Sequence, residues 1–523
     1  MTSVVRPNFH HTMAESIYEK IQNKTAIYHY YLGDILPGIG GVGSVAAPIN
    51  SNDFEFGSRN NIVSTKQIQL QDVAFTARRI DWASGTIFDT YDSSFAGDYA
   101  LYDFYVLTND FNVYKCLFNN NGGASTEKPT GVDVDPFLTS DGYVWKFMYY
   151  IPLALRNKFL STTQMPVTQK VKNQYYSEGV ITNFVINDSG SGYVAAETSV
   201  TVTGDGTGAD ISVVIENGEV VGVVINNGGT GYTEAYLTVI DGAAEPGTGA
   251  SVSLVLSSPG TLDTLQSDVE SLTVNGALSH ILVTQQSAGY ATAPTVTITG
   301  DGTGATATAT INVNGAVTGI TLTNAGSGYT NATVTIPAPG ALGAQAAKAR
   351  AIVSPLGGHG FNAPRELLAD TLCFYISFAN EFNQGLLVDN NEYRQFGIIK
   401  DLEYFNQVRK YSASSASACY LLEGTLNPAN FAADGVISTA GTAKSLLTVT
   451  ADTNKILVIS KNGSVPAIAD KFFNAAGANS FTVTAITKPD INKFSGEVLF
   501  IDNRTAFYSS DEQTVIFRTY IKF

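Results

Sequence analysis

Short runs of alternating apolar and polar residues fill most of this 523-residue chain. The strongest run places five large side chains on one face of an extended segment: Tyr143, Trp145, Phe147, Tyr149 and Ile151. Asp141-Gly142 before this run favours a turn, and Pro152 ends it because proline cannot donate to a strand ladder. The last residues alternate in the same way, with Phe517 on the apolar face and Tyr520 on the polar face. The pattern therefore predicts a mainly β protein.

One segment near the start has a helical period instead. Thr12 and Glu15 have the spacing of a capping box, in which two free backbone donors are satisfied at a helix start. The apolar residues that follow recur every four positions, at Met13, Ile17 and Ile21. We expect a helix over 12–22, a strand over 26–32, and a long loop over 33–64, where Gly, Pro, Asn and Asp are frequent.

The middle of the chain repeats itself. Four tetrapeptides of small residues end in Gly-Tyr, and their tyrosines are Tyr193, Tyr232, Tyr290 and Tyr329. The first two tyrosines are 39 residues apart, and so are the last two. A second glycine motif follows each tyrosine, at 204–209, 246–250, 300–305 and, in a decayed form, 342–346. Self-similarity at a fixed period predicts one small β unit that has been copied by duplication.

These patterns divide the chain into two flanks and an insert. Residues 176–352 form the predicted repeat module, with four copies in two pairs and an irregular spacer at 257–276. Residues 1–175 and 353–523 are expected to build one discontinuous β-sandwich core with a few short helices. Within the second flank, the Ala-, Thr-, Gly- and Asn-rich stretch 425–490 predicts a small β excursion.

Composition and charge exclude several classes of function. A net charge of −16 repels phosphate backbones, so nucleic-acid binding is not expected. No apolar run is long enough to cross a bilayer, so we expect no membrane span. The start of the chain has no signal-peptide core, and its three widely separated cysteines predict buried thiols and not disulfides. The sequence is therefore typical of a protein made in a reducing cytoplasm.

No catalytic, cofactor or metal constellation is predicted. Residues 38–43 have the spelling of a dinucleotide fingerprint, but Pro37 precedes them and a polar loop follows. The Gly-Asp-Gly-Thr-Gly turns offer one aspartate each, fewer oxygen ligands than a calcium loop needs. His359 lies among three glycines, and we interpret it as a histidine that locks a tight turn by hydrogen bonds. We expect no enzyme, no cofactor and no metal.

The repeat tyrosines leave two interpretations open. In one, each tyrosine pins its own glycine loop to the sheet. In the other, the rings stack on sugars, as they do in carbohydrate-binding modules.

Several segments of the flanks, taken in order, resemble one protein family. Ser140-Asp141-Gly142-Tyr143-Val144-Trp145-Lys146-Phe147 is similar to a signature of baseplate wedge subunits of contractile-tailed, T-even-type bacteriophages. The opening helix and the closing strand are also similar to this family, as are three shorter segments, at 357–360, 391–398 and 494–503. The resemblance covers about 1–175 and 351–523. It leaves out the repeat block, which resembles modules of marine cyanobacterial phage structural proteins.

What the resemblance implies is structural. It implies a β-sandwich subunit that dimerises and joins other wedge proteins in a six-fold baseplate, assembled in the host cytoplasm and resident in the virion. The family has no catalytic residues to carry over. We expect interface or packing anchors among seven residues: Tyr143, Trp145, Phe147, Tyr149, His359, Phe517 and Tyr520. The alternative is an adhesin or tail-fibre component that contacts host-surface glycans through the repeat module.

Overall fold

The computed structural model is 49% strand and 11% helix, which confirms the mainly β class. It describes residues 7–34, 47–95, 101–168, 180–230, 232, 234–243, 246–256, 268–340, 345–379, 392–426, 431, 435–442, 444–452, 454–460, 463–477, 479–508 and 514–523. The motif at 38–43, Asn391, most of the spacer and most of the fourth glycine motif lie outside the described residues. Within these ranges, no helix has the length and apolar character needed to span a bilayer.

The elements have the following bounds in chain order. The helices bounded within the described residues are α1 (Pro7–Gln22), α2 (Asn52–Asn61), α3 (Leu153–Phe159) and α4 (Ala363–Glu366). The strands before the repeats are β1 (Tyr28–Asp34), β2 (Ile62–Gln67), β3 (Val73–Arg78), β4 (Tyr105–Leu107), β5 (Asn112–Asn119), β6 (Phe137–Leu138), β7 (Tyr143–Tyr150) and β8 (Gln164–Val167).

The strands of the repeats are β9 (Ile181–Asp188), β10 (Thr198–Gly204), β11 (Thr207–Glu216), β12 (Glu219–Thr230), β13 (Ala235–Asp241), β14 (Ser251–Leu256), β15 (Leu278–Gln285), β16 (Thr297–Gly300), β17 (Thr306–Ile311), β18 (Val317–Asn324), β19 (Ala332–Thr335) and β20 (Lys348–Val353). The strands after the repeats are β21 (Thr371–Ala379), β22 (Glu392–Lys400), β23 (Glu403–Tyr404), β24 (Ser415–Ser417), β25 (Tyr420–Leu426), β26 (Val436–Thr439), β27 (Ser445–Asp452), β28 (Lys455–Ser460), β29 (Lys471–Phe473), β30 (Ser480–Thr487), β31 (Ile491–Asn492), β32 (Glu497–Tyr508) and β33 (Thr514–Lys522).

The chain folds into two compact units, each made of two separate segments. Unit 1 comprises 1–11 and 75–371, and unit 2 comprises 12–74 and 372–523. The predicted insert boundaries at 176 and 352 both lie inside unit 1. The division into a discontinuous core and an insert therefore stays a prediction.

The flank portion of unit 1 is organised around β7, the strand with the clearest alternation. Strands β4, β5, β7 and β6 form one antiparallel sheet in that order. Within it Cys116 of β5 pairs with Trp145 of β7. The large side chains of β7 that alternate in the sequence have no exposed surface: Tyr143, Trp145, Phe147 and Tyr149. Burial of aromatic area on this scale is the main stabilising contribution that a strand can make.

The two repeat pairs have the same topology. The first pair has a four-stranded sheet in the order β10-β13-β14-β9 and a separate hairpin β11-β12. The second pair has a sheet in the equivalent order β16-β19-β20-β15 and a hairpin β17-β18. In each pair, apolar side chains of the sheet and of the hairpin share one hydrophobic cluster. Two copies together thus make one small folded body.

One sheet of unit 2 combines strands from both of its chain segments. Its strand order is β24-β2-β1-β22-β32, and Tyr31 of β1 pairs with Gly397 of β22. The segment 420–487 then forms a closed barrel in the order β25-β28-β27-β26-β29-β30, filled by residues such as Leu422 and Phe481. Most of the stretch 425–490, predicted as a β excursion, lies in this barrel.

The closing strand β33 is docked within unit 2. Phe517 is buried and its ring centroid lies 4.7 Å from that of Phe396 and 5.5 Å from that of Tyr30. The hydroxyl groups of Tyr30 and Thr519 are 3.0 Å apart and share a hydrogen bond. Tyr520, on the opposite face, is half-buried.

The predicted loop over 33–64 is wrong, because 52–61 is helix α2 and β2 begins at Ile62. Ser51 caps α2 by accepting a hydrogen bond from the Phe54 backbone at 3.2 Å. Arg59 of α2 then donates to the carbonyl oxygens of Ser495 and Gly496, at 2.7 and 2.9 Å. These long-range hydrogen bonds outweigh the poor helix propensity of a segment rich in Asn, Gly and Ser.

Helix α1 ends at Gln22 as predicted but begins at Pro7 and not at Thr12. Proline is favoured in a first helical turn, where its missing N–H has no intrahelical partner to lose. The capping-box spacing of Thr12 and Glu15 therefore lies inside a helix that had already started. The strand that follows is β1, which begins at Tyr28.

Replacing Gly397 by alanine is expected to destabilise the sheet of unit 2. A Cβ atom there would lie 2.2 Å from the carbonyl oxygen of Phe500 and 2.4 Å from the ring of Tyr31. Overpacking of this kind costs roughly 1–3 kcal/mol. Both tryptophans of the chain lie in unit 1, so the measurement is hydrogen exchange of the 392–400 amides, and faster exchange is expected.

Gly57→Ala is the matched control in the same unit. Nothing lies within 4 Å of a Cβ atom at Gly57, which is a helical residue of α2. The control should leave the 392–400 exchange unchanged and gain roughly 0.5–1 kcal/mol in the helix. Unchanged exchange in Gly397→Ala itself would contradict the close packing described for β22.

Candidate functional site

The structure places the predicted anchors of β7 inside unit 1. The Tyr143 hydroxyl donates to the Gly123 carbonyl at 2.6 Å and accepts from the Phe88 backbone at 3.2 Å. The Tyr149 hydroxyl donates to the Pro166 carbonyl at 3.1 Å. Trp145 and Phe147 are equally buried. These four residues, like Phe517 in unit 2, pack in the interior of their own unit, and only Tyr520 of the six aromatic anchors is half-exposed.

The four repeat tyrosines are buried as well, with exposed fractions of 4 to 7%. The hydroxyl of Tyr193 accepts a hydrogen bond from the Ala250 backbone at 3.1 Å, and that of Tyr290 accepts from Ala347 at 3.0 Å. A ring covered to this extent has no free face for a sugar. The tyrosines therefore act as pins for the glycine loops.

Each tyrosine pins the glycine motif of the other copy in its pair. Tyr193 of the first copy reaches the second motif at Ala250, and Tyr329 of the fourth copy reaches the third motif at Ala305. Backbone pairs run alongside these contacts, because Ser191 and Thr248 exchange two hydrogen bonds of 3.0 Å. Two copies are thus locked reciprocally, and the sequence-based interpretation that each tyrosine pins only its own loop was incomplete.

The aspartates of the glycine turns have a structural role in this locking. Asp301 accepts hydrogen bonds from the Thr330 and Asn331 backbones at 2.9 and 3.0 Å and from the Thr330 hydroxyl. The hydrogen bonds with Thr330 and Asn331 lower the pKa of Asp301 to about 2. In the second copy, whose glycine motif has no aspartate, Asp241 serves the equivalent loop by accepting from the Val194 backbone at 3.2 Å.

A buried ion pair lies in the flank of unit 1. Lys115 of β5 and Glu366 of α4 are 2.8 Å apart, and their side chains are 0% and 2% exposed. The Lys115 ammonium also lies 4.0 Å from the centre of the Tyr91 ring. The second carboxylate oxygen of Glu366 accepts from the Gly360 backbone at 2.8 Å. Every strong donor around this carboxylate thus belongs to unit 1 itself.

His359 lies beside this pair and connects it to the repeats. Its Nε2 atom shares a hydrogen bond with the hydroxyl of Ser279 on β15, and its Nδ1 atom is 3.8 Å from the Glu366 carboxylate. The neighbouring glycines adopt φ of +91° at Gly357, +97° at Gly358 and +93° at Gly360, values that only glycine accepts readily. The charge cluster comprises four residues: Lys115, His359, Glu366 and Ser279.

Electrostatics keep the charge cluster neutral overall. Burial by itself raises the pKa of Glu366, but the Lys115 ammonium and the neighbouring His359 together outweigh it and hold that pKa at about 2. Burial, together with the same ammonium, lowers the pKa of His359 to about 4. Burial also lowers the pKa of Lys115, and the Glu366 carboxylate opposes that shift. With the pair charged and the imidazole uncharged at pH 7, the charges of the cluster cancel.

The serine, histidine and glutamate of the charge cluster have the order of a hydrolase triad but not its geometry. A separation of 3.8 Å between Nδ1 of His359 and the carboxylate is too long for a hydrogen bond. The carboxylate is already engaged by Lys115 and by backbone donors. Glu366 holds the 357–360 turn through the Gly360 backbone, and His359 ties β15 to the turn through Ser279.

Two further contacts join the second repeat pair to the flank of unit 1. Arg350 of β20 forms a two-pronged ion pair with Asp92, with one contact of 2.8 Å. His280 of β15 stacks on Phe118 of β5, with ring centres 4.4 Å apart, and burial lowers its pKa to about 4. The base of the second pair is therefore fixed by charge, hydrogen bond and ring packing together.

A pocket of about 370 Å³ opens beside the charge cluster. Its walls come from the flank, the second repeat pair and the α4 region of unit 1. They include Tyr91, Phe95, Ser354, Leu356, Arg365 and Glu366. No group of three or more His, Cys, Asp or Glu residues that could hold a metal ion occurs in the described ranges.

Sequence reasoning named His359 but missed Lys115, Glu366 and the pocket. The available signal was Lys115 itself, which interrupts the apolar run of β5 between Tyr114 and Cys116. A lysine on a buried strand is rarely found without a carboxylate partner. That partner lies 251 residues further along the chain, so no local pattern could identify it. Comparison with models of known protein families and with curated proteins found no match.

Glu366→Gln is expected to destabilise unit 1 strongly. The substitution leaves the fully buried Lys115 ammonium without a counter-charge, and breaking one partner of a buried pair costs roughly 3–5 kcal/mol. Because Trp82 and Trp145 both lie in unit 1, urea unfolding followed by tryptophan fluorescence reports on this unit. Asp110→Asn, in the solvent-exposed Lys128–Asp110 pair of unit 1, is the control and should change stability by less than about 1 kcal/mol. Equal effects of the two substitutions would contradict the buried pair.

Stability of unit 1 should fall as pH drops from about 6.5 towards 4. The folded-state pKa of His280 is about 4, below its ordinary value of 6.5, so the unfolded chain takes up the proton first. The stability that depends on an uncharged His280 is fully present above pH 6.5 and is lost progressively as the pH falls towards 4. Between pH 6.5 and 4.5, the slope of the unfolding free energy against pH gives the number of protons taken up on unfolding. His280→Gln should lower that number by up to one. An unchanged slope would show that His280 titrates normally in the folded protein.

Proposed function

We propose that this chain is a structural subunit of the baseplate wedge of a contractile-tailed bacteriophage. It joins neighbouring wedge proteins through large β-rich interfaces and forms homodimers within the six-fold baseplate. It is assembled in the host cytoplasm and resides in the virion. Its role is mechanical, so it catalyses no reaction and needs no cofactor.

One observation on the surface of unit 2 carries this proposal. Phe56 of α2 and Phe494 stack with ring centres 5.3 Å apart, although they are 58% and 44% exposed. Two large aromatic side chains that stack on each other at a surface are typical of an anchor that a partner protein covers. Phe494 opens the 494–503 segment that resembles the wedge family.

The other segments that carry the resemblance support a mechanical role. The aromatic residues of the β7 signature fill the core of unit 1, and the Gly357-Gly358-His359-Gly360 turn holds a buried ion pair and a repeat strand in place. These residues hold the fold rigid and leave no reactive group facing solvent. A subunit that transmits force between neighbours needs rigidity of this kind.

The test uses a contractile-tailed bacteriophage whose genome encodes this chain. Phe494→Asp should fold normally but fail to enter the baseplate, because a carboxylate at the centre of an interface is desolvated without a partner. Immunogold labelling of the chain on purified tails, together with quantification of its content per particle, measures incorporation. Val313→Asp, at a fully exposed position of the second hairpin, is the control and should be incorporated normally.

Two results would overturn the proposal: label away from the end of the tail, or normal incorporation of Phe494→Asp. Label on fibres would favour the second candidate function, an adhesin or fibre component that contacts host-surface glycans. One observation favours that candidate, since Tyr236 on β13 of the repeats is 60% exposed and its ring is open to stacking. The buried repeat tyrosines do not contribute to it.

A further inference from the structure

The pocket beside the charge cluster contains a buried hydroxyl without a partner. Ser354 is 8% exposed, lines the pocket, and its Oγ atom has no hydrogen-bond partner among the described residues. Buried hydroxyl groups in folded proteins are almost always paired, because an unpaired one loses its hydration without compensation. The Oγ atom is covered in this rotamer, but Ser354 lines the pocket, so a rotation about its Cα–Cβ bond brings the unpaired hydroxyl to a molecule that enters.

The rim of the same pocket carries an unpaired positive charge. Arg365 of α4 is exposed, and its guanidinium makes no ion pair or hydrogen bond within the described ranges. The two carboxylates that line the pocket are each neutralised, Asp92 by Arg350 and Glu366 by Lys115. When these two partner cations are counted with the lining, one positive charge is left at the pocket, that of Arg365, although the whole chain carries −16. A guanidinium without a partner is suited to bind a carboxylate in two-pronged geometry.

The remaining walls are apolar on one side. Half-buried Tyr91 and Phe95 and the exposed side chain of Leu356 line the pocket. Asn275, Thr330 and Asn362 supply polar groups elsewhere on the lining. The volume of about 370 Å³ lies at the small end of the range for ligand pockets and limits the occupant to one or two rings.

We propose that this pocket binds a carboxylated sugar, that is, one pyranose ring of the uronic-acid class. The C–H groups of the ring pack into the corner formed by Tyr91 and Phe95, whose ring planes lie at 77° to each other. The carboxylate pairs with Arg365, and a ring hydroxyl bonds to Ser354 at the wall. A bare inorganic anion would use Arg365 but leave the apolar wall and the Ser354 hydroxyl unused, and a neutral sugar would leave Arg365 unused. The proposal goes beyond the baseplate role, which does not depend on it.

The test uses the full-length chain with glucuronate and galacturonate as probes, and glucose, galactose and acetate as comparisons. Ligand-observed NMR and calorimetry measure binding. We expect saturable binding of at least one uronate, at least tenfold weaker binding of the matching neutral sugar, and no competition by acetate at equal concentration. Arg365→Gln should weaken uronate binding at least tenfold, and Ser354→Ala should weaken it several-fold.

Arg504→Gln, at an exposed arginine of unit 2, is the matched control and should bind like the parent protein. Tryptophan fluorescence verifies that the Arg365 and Ser354 variants keep unit 1 folded. The proposal is overturned if neither uronate binds, if the neutral sugar binds equally well, if acetate competes equally, or if Arg365→Gln binds like the parent protein. Displacement of the uronate by an acidic peptide at lower concentration would likewise assign the pocket to a protein partner and overturn it.

Discussion

The ion pair between Lys115 and Glu366 is the contact on which the architecture of unit 1 depends. A lysine with no exposed surface is tolerated because a carboxylate lies 2.8 Å away. The same carboxylate organises the turn at 357–360 through the Gly360 backbone, and the turn presents His359 to Ser279 at the start of the second repeat pair. One buried charge thus sets the position of a flank strand, a short helix, a glycine turn and the base of a repeat. Neutral apolar residues could fill that space but could not specify these partners.

The two repeat pairs are stabilised by a different kind of interaction. Their hydrophobic clusters consist mainly of aliphatic side chains, together with the buried repeat tyrosines. Contacts between the copies add to these clusters, because the tyrosine hydroxyl of one copy accepts a hydrogen bond from the glycine motif of the other. Glycine is required where they meet, because a Cβ atom at Gly302 would lie 2.4 Å from the Tyr329 ring. Close backbone approach at the glycine motifs therefore adds to the packing of the aliphatic clusters.

Local patterns predicted much of the fold and little of the candidate site. The alternation around Trp145, the fixed spacing of the four tyrosines and the apolar face of the closing strand each reflect a short-range period, and the structure contains the corresponding strands. Helix α2 escaped prediction because Arg59 gains its stabilisation from carbonyls more than 430 residues away. The charge cluster and the pocket escaped for the same reason. Ser354 and Arg365 are ordinary residues in the sequence, and only the fold shows that one is buried without a partner and the other is exposed without one.

The contacts between the tyrosine of one copy and the glycine motif of the other also constrain the number of copies that the repeat array can contain. A lone copy would present a tyrosine with no motif to cover and a motif with no tyrosine, so an odd copy number would leave one loop open to water. Lengthening or shortening of the array should therefore proceed by whole pairs. The structural unit of the array is therefore the pair, and we expect natural variants to differ by even numbers of copies.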